Sequence, residues 1–199
     1  MILAQDSGIL GIFPVFYSLT TTHLLLSYWK DHGGEQLRKI LFTPSPELKS
    51  HLLEMNFEGI IPIPQHLDRS LKRGHASAFE VAKFFSKELE VPLHENYLQL
   101  KSEFGAKQAS LNEWERRHGE NPFAINTKLP FLRKGTVGLP EPEVKTGSII
   151  TAKKILLIDD FITTGSTLQK AANLILLTNP SAKIFAASLG YRPRRSSKS

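Results

Sequence analysis

The sequence predicts an α/β fold in which a mainly parallel sheet is flanked by helices. Residues 154–158 contain a run of four apolar residues, 155–158, typical of a strand that is buried on both faces. Residues 164–177 follow with the length and apolar spacing of a helix, and residues 183–189 have the pattern of another strand. A strand, a helix and a strand at this spacing predict a parallel unit with a right-handed crossover.

The chain before this unit contains further predicted elements. The expected strands are residues 13–17, 59–64 and 91–98, and the expected helices are residues 20–30, 35–42, 46–55 and 71–89. Pro92 weakens the third strand, because proline cannot donate a ladder hydrogen bond. Residues 101–120 carry many charges and form a long excursion, and residues 127–147 are rich in glycine and proline and predict a loop.

Composition limits the classes of protein to consider. The 199 residues are 41% hydrophobic and 22% charged, which suits one soluble α/β domain with a small appendage. No apolar run reaches the roughly 18 residues of a membrane span, and no basic leader precedes the first apolar stretch. The chain has no cysteine, so we expect a cytoplasmic protein without disulfides. The net charge of +6 suits nucleic acid or a polyphosphate metabolite, or serves solubility alone.

The main chemical signal lies in residues 155–167, with the sequence ILLIDDFITTGST. Asp159 and Asp160 follow an apolar strand, at the edge of a parallel sheet where ligands bind. These carboxylates suit sugar hydroxyls or a Mg²⁺ ion held partly through water, and without a cation we expect them to repel each other. The next turn leads into a helix N-terminus, which favours phosphate. Its candidate phosphate-binding residues are Thr163, Thr164, Gly165, Ser166 and Thr167.

The same residues allow a structural interpretation, in which the aspartates and hydroxyls only cap a helix. The whole string, however, resembles the signature with which type I phosphoribosyltransferases bind 5-phosphoribosyl 1-pyrophosphate (PRPP). Only Phe161 is unusual, because that family more often has an aliphatic residue there. The resemblance implies a type I phosphoribosyltransferase-like sheet with a small N-terminal hood, and Mg²⁺ bridging ribose and pyrophosphate. We therefore expect a hood at residues 1–57, a phosphoribosyltransferase-type core at 58–191 and a basic tail at 192–199.

A second set of residues resembles the ComF competence-protein family. Ile61-Pro62-Ile63-Pro64 is similar to the V-P-V-P strand of that family, and Arg73-Gly74 to the start of its R-G-F-N-Q stretch. Lys30, after an aromatic pair, also matches. Further matches in order and approximate spacing are Arg69, Lys72, Lys101, Gln108, Leu111 and Arg116.

The chain also departs from the ComF pattern. His75, Ala76 and Ser77 stand where that family favours an aromatic residue, Asn and Gln, which puts the role of the Asn and Gln in question. ComF members commonly begin with a cysteine zinc ribbon, and this chain lacks both cysteine and paired histidines. We therefore expect no zinc site.

The remaining candidates are cations, and each has a structural alternative. Lys72 and Arg73 could stabilise a pyrophosphate leaving group, or could begin a solvated helix. Lys101 and Arg116 could belong to a lid over the ligand, or to an ordinary charged surface. Lys30 could reach the site or could be a solvated residue at a helix end.

Two functional hypotheses follow, with Asp159, Asp160, Lys72 and Arg73 as the catalytic candidates of the first. The protein could transfer a phosphoribosyl group from PRPP to a nitrogen acceptor, with release of pyrophosphate. It could instead bind PRPP or another ribose 5-phosphate compound without turnover and assist the DNA-uptake machinery. An acceptor hood could use an N-terminal aromatic cluster, although such clusters are usually core. Its members are Phe13, Phe16, Tyr17, Tyr28 and Trp29.

Overall fold

A computed structural model describes residues 8–17, 20–65, 76–101, 120–126 and 149–191, and for residues 20–23 it describes the backbone alone. The strands in these ranges are β1 (Ile9–Tyr17), β2 (Gly59–Pro62), β3 (Leu98–Leu100), β4 (Phe123–Ile125), β5 (Lys154–Ile162) and β6 (Lys183–Tyr191). The helices are α1 (Thr20–His32), α2 (Glu35–Phe42), α3 (Pro46–Glu54), α4 (Ser77–Leu89) and α5 (Ser166–Thr178).

The central sheet has the strand order β1-β6-β5-β2, and every neighbouring pair in it is parallel. The unit β5-α5-β6 is the predicted strand–helix–strand crossover. Strands β3 and β4 form a separate antiparallel pair. The predicted α/β fold with a mainly parallel, helix-flanked sheet is therefore confirmed.

The alternation of side chains along β5 builds a core on both faces of the sheet. Ile155 and Leu157 belong to one buried cluster, which they share with residues of α5 such as Leu168 and Ile175. Leu156 and Ile158 belong to the other, to which α1, α2, α3 and α4 contribute. A strand covered on both faces has no solvent side, which explains its uninterrupted apolar run.

Several predicted boundaries were wrong. Strand β5 continues past residue 158 to Ile162, so Asp159 and Asp160 lie within the strand and not beyond it. Helix α5 begins at Ser166 and not at residue 164, because Gly165 precedes it with a left-handed φ of 74°. The strand expected at residues 91–98 is broken by a turn after His94, and Leu98 alone of this range belongs to a strand. Leu93 makes an isolated bridge to Ile60 instead.

The residues expected to form a hood contain more than one kind of structure. Strand β1 is an edge strand of the central sheet and pairs with β6. Helices α1 to α3 contribute to the same buried cluster as α4. The division into hood, core and tail stays a prediction. Among the described helices, none has the length and apolar character that crossing a bilayer requires.

His94 is a buried polar residue whose ring lies beside Gly59, the first residue of β2. It is therefore not at the edge where β2 ends. Its side chain is 3% exposed, and neither ring nitrogen has a hydrogen-bond partner among the described residues. A Cβ atom at Gly59 would lie 3.1 Å from the His94 ring and 2.4 Å from Ile149, so glycine leaves room for both side chains. Burial lowers the pKa of His94, because the charged imidazolium is poorly solvated there.

We predict that His94 makes the protein sensitive to acid. Below pH about 6.5 the histidine binds a proton in the unfolded state but not in the folded state. The free energy of unfolding therefore decreases as the pH is lowered, by at most about 1.4 kcal/mol per pH unit. Urea unfolding at pH 7.5 and 5.5 should therefore show a smaller loss for His94→Leu than for the parent. The exposed His51 provides the control variant His51→Gln. An equal loss in the parent and His94→Leu would contradict the prediction.

Candidate active site

The candidate site lies at the edge where the parallel strands end. Asp159 pairs across the ladder with Ser188 of β6, and β2 runs on the other side of β5. The chain leaving β2 stays beside β5, because the Ile63 N–H donates to the Ile158 carbonyl at 2.8 Å. Parallel strands carry their carboxyl ends to one edge, so Gln65 and the two aspartates meet there.

The turn from β5 into α5 has the properties of an anion-binding loop. Gly165 has a φ of 74°, and an added Cβ atom would meet no atom of the described residues within 4 Å, so they leave the backbone there accessible. Gly165, at the N-cap position of α5, has no side chain to cap the helix, and among the described residues the Ser166 N–H donates only a long hydrogen bond to Thr164 Oγ1, at 3.4 Å. Thr164 Oγ1 donates to Ser166 Oγ at 3.1 Å, which holds the two hydroxyls together. Thr163 and Thr167 are exposed. An anion can therefore approach backbone N–H groups and hydroxyls together.

Asp160 is buried and held by three donors that meet at one atom, Oδ2. Lys30 Nζ of α1 lies 2.9 Å from it, and Gln65 Nε2 donates to it at 2.9 Å. The Ser77 hydroxyl at the start of α4 makes a short hydrogen bond to the same oxygen. Burial alone would raise the pKa of Asp160, but the Lys30 charge and these hydrogen bonds hold it below its ordinary value. Asp160 is therefore ionised at neutral pH.

Asp159 has a different environment from its neighbour. It is only partly buried, and its Oδ1 accepts a hydrogen bond from the Asp160 N–H at 2.9 Å. Burial, and next the Asp160 carboxylate, raise the pKa of Asp159 to about 8. The expected repulsion between the two carboxylates is therefore present, as the second of these causes. Lys30 offsets part of the charge of Asp160, and Asp159 binds its proton more tightly than Asp160 does.

Sequence reasoning missed two members of this cluster and left a third open. Gln65 follows the proline that ends the predicted strand, a position that brings it to the same edge as the aspartates. Ser77 is fully buried, and it stands where the ComF pattern has Gln. Lys30 is not the solvated helix-end residue of the structural alternative, because its side chain is only 17% exposed and forms an ion pair with Asp160. These contacts join α1, α4 and the segment after β2 to β5.

The predicted cations are not brought together within the described residues. Lys72, Arg73 and Arg116 lie outside the described residues. Lys101 directly follows β3 and forms an ion pair with Glu120 at 3.1 Å, while its backbone N–H donates to the Pro122 carbonyl. Residues 101 and 120 are thus held together at the base of the β3–β4 connection.

The N-terminal aromatic residues divide into core and surface. Phe13 packs beside Phe185, and Trp29 contacts Phe42, and both are buried. Tyr17 and Tyr28 are each 59% exposed. Tyr17 contacts Tyr191 edge to face where β1 and β6 end, with ring centroids 6.3 Å apart. Of the expected hood aromatics, Tyr17 is therefore placed at the ligand edge of the sheet.

The unusual residue of the motif, Phe161, has a structural explanation. It lies opposite Gly190 in the β5–β6 ladder, and a Cβ atom at Gly190 would come within 2.5 Å of the Phe161 ring. The ring thus occupies the space that the missing side chain of Gly190 leaves. Lys30 Nζ lies 5.9 Å from the centroid of the same ring, within the range of a cation–π contact.

We predict that Gly190→Ala destabilises the protein by about 1–3 kcal/mol, the usual cost of overpacking a filled site. Phe161→Leu in the same chain should restore most of that loss, because the smaller side chain frees the space next to position 190. Urea unfolding of the two single variants and the double variant measures the coupling. Additive losses would show that Phe161 and Gly190 are independent.

We predict that the parent protein loses stability relative to Asp159→Asn as the pH rises from about 5 to 7. The unfolded aspartate ionises near pH 4, whereas the raised pKa keeps the folded one protonated, so the folded state binds more protons in this window. The slope is at most about 1.4 kcal/mol per pH unit. Urea unfolding at both pH values checks this, with the exposed Glu54 as the control in Glu54→Gln. Parallel curves for the parent and Asp159→Asn would refute it.

The comparisons with known proteins agree with this geometry. No match was found among curated proteins. The family model of the phosphoribosyl transferase domain matches residues 75–199, more than half of the chain. The matched range includes both aspartates, the open turn at Gly165 and the crossover from β5 to β6. The chain therefore belongs to the phosphoribosyl transferase domain family.

Proposed function

We propose that this protein binds PRPP at the carboxyl edge of its sheet and transfers the phosphoribosyl group to a nitrogen acceptor. The observation that carries the proposal is the sequence of groups along β5 and into α5. Asp159, a partly buried carboxyl group, lies near the end of β5, and the turn that follows leads through Gly165 into the start of α5. One end of this site suits hydroxyls and the other suits a phosphate.

The proposed ligand orientation follows from the chemistry of these two ends. The 5-phosphate would bind the turn formed by Thr163, Thr164, Gly165, Ser166 and Thr167. The ribose hydroxyls would donate to Asp160, which is ionised, and to Asp159, whose ionised form a bound Mg²⁺ would favour; ionised carboxylates accept stronger hydrogen bonds than neutral groups do. This orientation directs the anomeric carbon and its pyrophosphate away from α5.

The residues also fit the Mg²⁺ that the family resemblance implies. Within the described ranges, no group of three or more metal-ligating side chains is found, so an all-protein cage is not the expected site. Mg²⁺ usually keeps several waters and takes one or two carboxylates together with substrate phosphates. Of this pair, Asp159 or Asp160 would hold it, directly or through water. When bound, it would supply positive charge to the pyrophosphate oxygens.

The proposed reaction is a substitution at the anomeric carbon. The acceptor nitrogen lone pair forms the new C–N bond, the C–O bond to pyrophosphate breaks, and its electrons leave with the pyrophosphate. The acceptor then gives up a proton to solvent or a base. Negative charge grows on the leaving group, so preorganised cations lower the barrier. Lys72, Arg73 and Arg116 are the proposed cations, and Lys101 and Arg116 the proposed lid residues.

We further propose that the protein is of the ComF type. The sequence matches at Lys30 and at Ile61–Pro64 support this. So does the contact of Lys30 with Asp160, because a matched residue at the site is easier to explain by function than by chance. In the alternative role, the same site binds PRPP or another ribose 5-phosphate compound without turnover, and the protein assists DNA uptake. A cytoplasmic location remains a prediction in either role.

We predict that PRPP with Mg²⁺ stabilises the parent protein by about 2.7 kcal/mol at 100 times its dissociation constant. In calorimetric titrations, Asp159→Asn should bind PRPP at least about tenfold more weakly, because a hydrogen bond to a charged acceptor contributes roughly 1.5–3 kcal/mol. Glu54→Gln, whose side chain is exposed on α3, should bind like the parent. Equal affinity in a folded Asp159→Asn variant would remove Asp159 from the site.

The two roles differ in turnover and in their response to salt. Nucleobases screened with PRPP and Mg²⁺ should release pyrophosphate if the protein is an enzyme. A binding protein would show the same PRPP affinity without release. If the protein also binds DNA through basic residues, its affinity for DNA should fall steeply as the salt concentration increases, because binding releases counterions from the DNA phosphates.

A further inference from the structure

We propose that Lys30 of α1 is the positioning residue for Asp160, and that Asp160 accepts hydroxyl donors and not the cation. The proposal rests on the proposed function, since it assigns separate tasks to the two carboxylates of the PRPP site. Lys30 would act through Asp160 and would not touch the ligand itself.

The ion pair between Lys30 and Asp160 is mostly buried. The Lys30 side chain is 17% exposed and the Asp160 side chain 9%, with 2.9 Å between Nζ and Oδ2. Removing two charges from water costs about as much as their attraction returns, so a buried pair is a poor source of stability. A pair retained under these conditions, at the edge where ligands bind, is better explained by what it does to the carboxylate.

Three donors converge on one oxygen atom of Asp160, Oδ2. Lys30, Gln65 and Ser77 come from three different parts of the fold, and all three contact Oδ2 of Asp160. Gln65 also donates to Ser77 at 2.9 Å, so the donors hold one another. This arrangement fixes the carboxylate plane. It leaves Oδ1 as the oxygen that remains for Asp159 or for a ligand.

Asp160 already has a cation beside it. The Lys30 ammonium contacts its Oδ2 atom, so a metal ion bound to the same carboxylate would be repelled by a charge of the same sign. Hydroxyl groups are neutral donors and face no such repulsion. Asp160 is thus suited to a ribose hydroxyl, and Asp159, which forms no ion pair within the described residues, is the carboxylate left to face Mg²⁺.

A double-variant cycle tests the proposal with PRPP and Mg²⁺ as the titrant. Lys30→Met and Asp160→Asn should each weaken PRPP binding at least about tenfold. The double variant should bind no more than about threefold more weakly than Asp160→Asn alone, because Lys30 has no task once the carboxylate is gone. Lys30→Arg should bind within about threefold of the parent, since it keeps the charge near Oδ2.

A matched lysine provides the control. Lys49 of α3 forms an ion pair of 2.6 Å with Glu88 of α4, and its side chain is 41% exposed. Lys49→Met should leave PRPP affinity unchanged. If Lys30→Met does not fold because Asp160 is left unpaired, the decision rests on Lys30→Arg and on the double variant, in which both charges are absent.

The outcomes separate this inference from the proposed function. If the parent binds PRPP and Lys30→Met binds equally well, Lys30 does not position the site. If the losses add in the double variant, Lys30 contacts the ligand directly, and the proposal is again overturned. If the parent itself does not bind PRPP, the proposed function fails first, and this assignment fails with it.

Discussion

The site depends on the burial of one carboxylate. Asp160 lies inside the fold, where an unpaired charge would be far too costly to keep. It stays ionised because three donors converge on its Oδ2 atom. The donors come from α1, from α4 and from the segment after β2. Because the charge of Asp160 needs all three, it connects these parts of the fold to β5.

Much of the fold could be predicted because it depends on local patterns. The uninterrupted apolar run of β5 indicates burial on both faces, and the two core clusters on its alternate residues are the physical reason for that run. The boundaries were less accessible. Asp159 and Asp160 interrupt the apolar pattern, yet the strand continues, because its ladder with β6 continues to Ile162. Backbone pairing with a neighbour, unlike hydrophobicity, leaves no mark in the sequence of one strand.

The candidate site could be predicted only where it is contiguous. The string from residue 155 to residue 167 contains the aspartates and the open turn, and it was recognisable as it stands. Gln65 and Ser77 were not, because their role comes from a meeting of segments 95 and 83 residues away from Asp160. Lys30 was ambiguous for the same reason. A lysine at a helix end is usually solvated, and only the packing of α1 against the sheet places its ammonium beside a buried acid.

The departures from family patterns are connected with one another in space. Ser77 stands where the ComF pattern has Gln, and a side-chain amide nevertheless reaches Asp160, from Gln65. Phe161 stands where an aliphatic residue is more usual, and it fills the space above Gly190 and lies beside the Lys30 ammonium. Both unusual residues therefore border the same ion pair. The ionised Asp160 is therefore the element around which these neighbouring side chains are arranged.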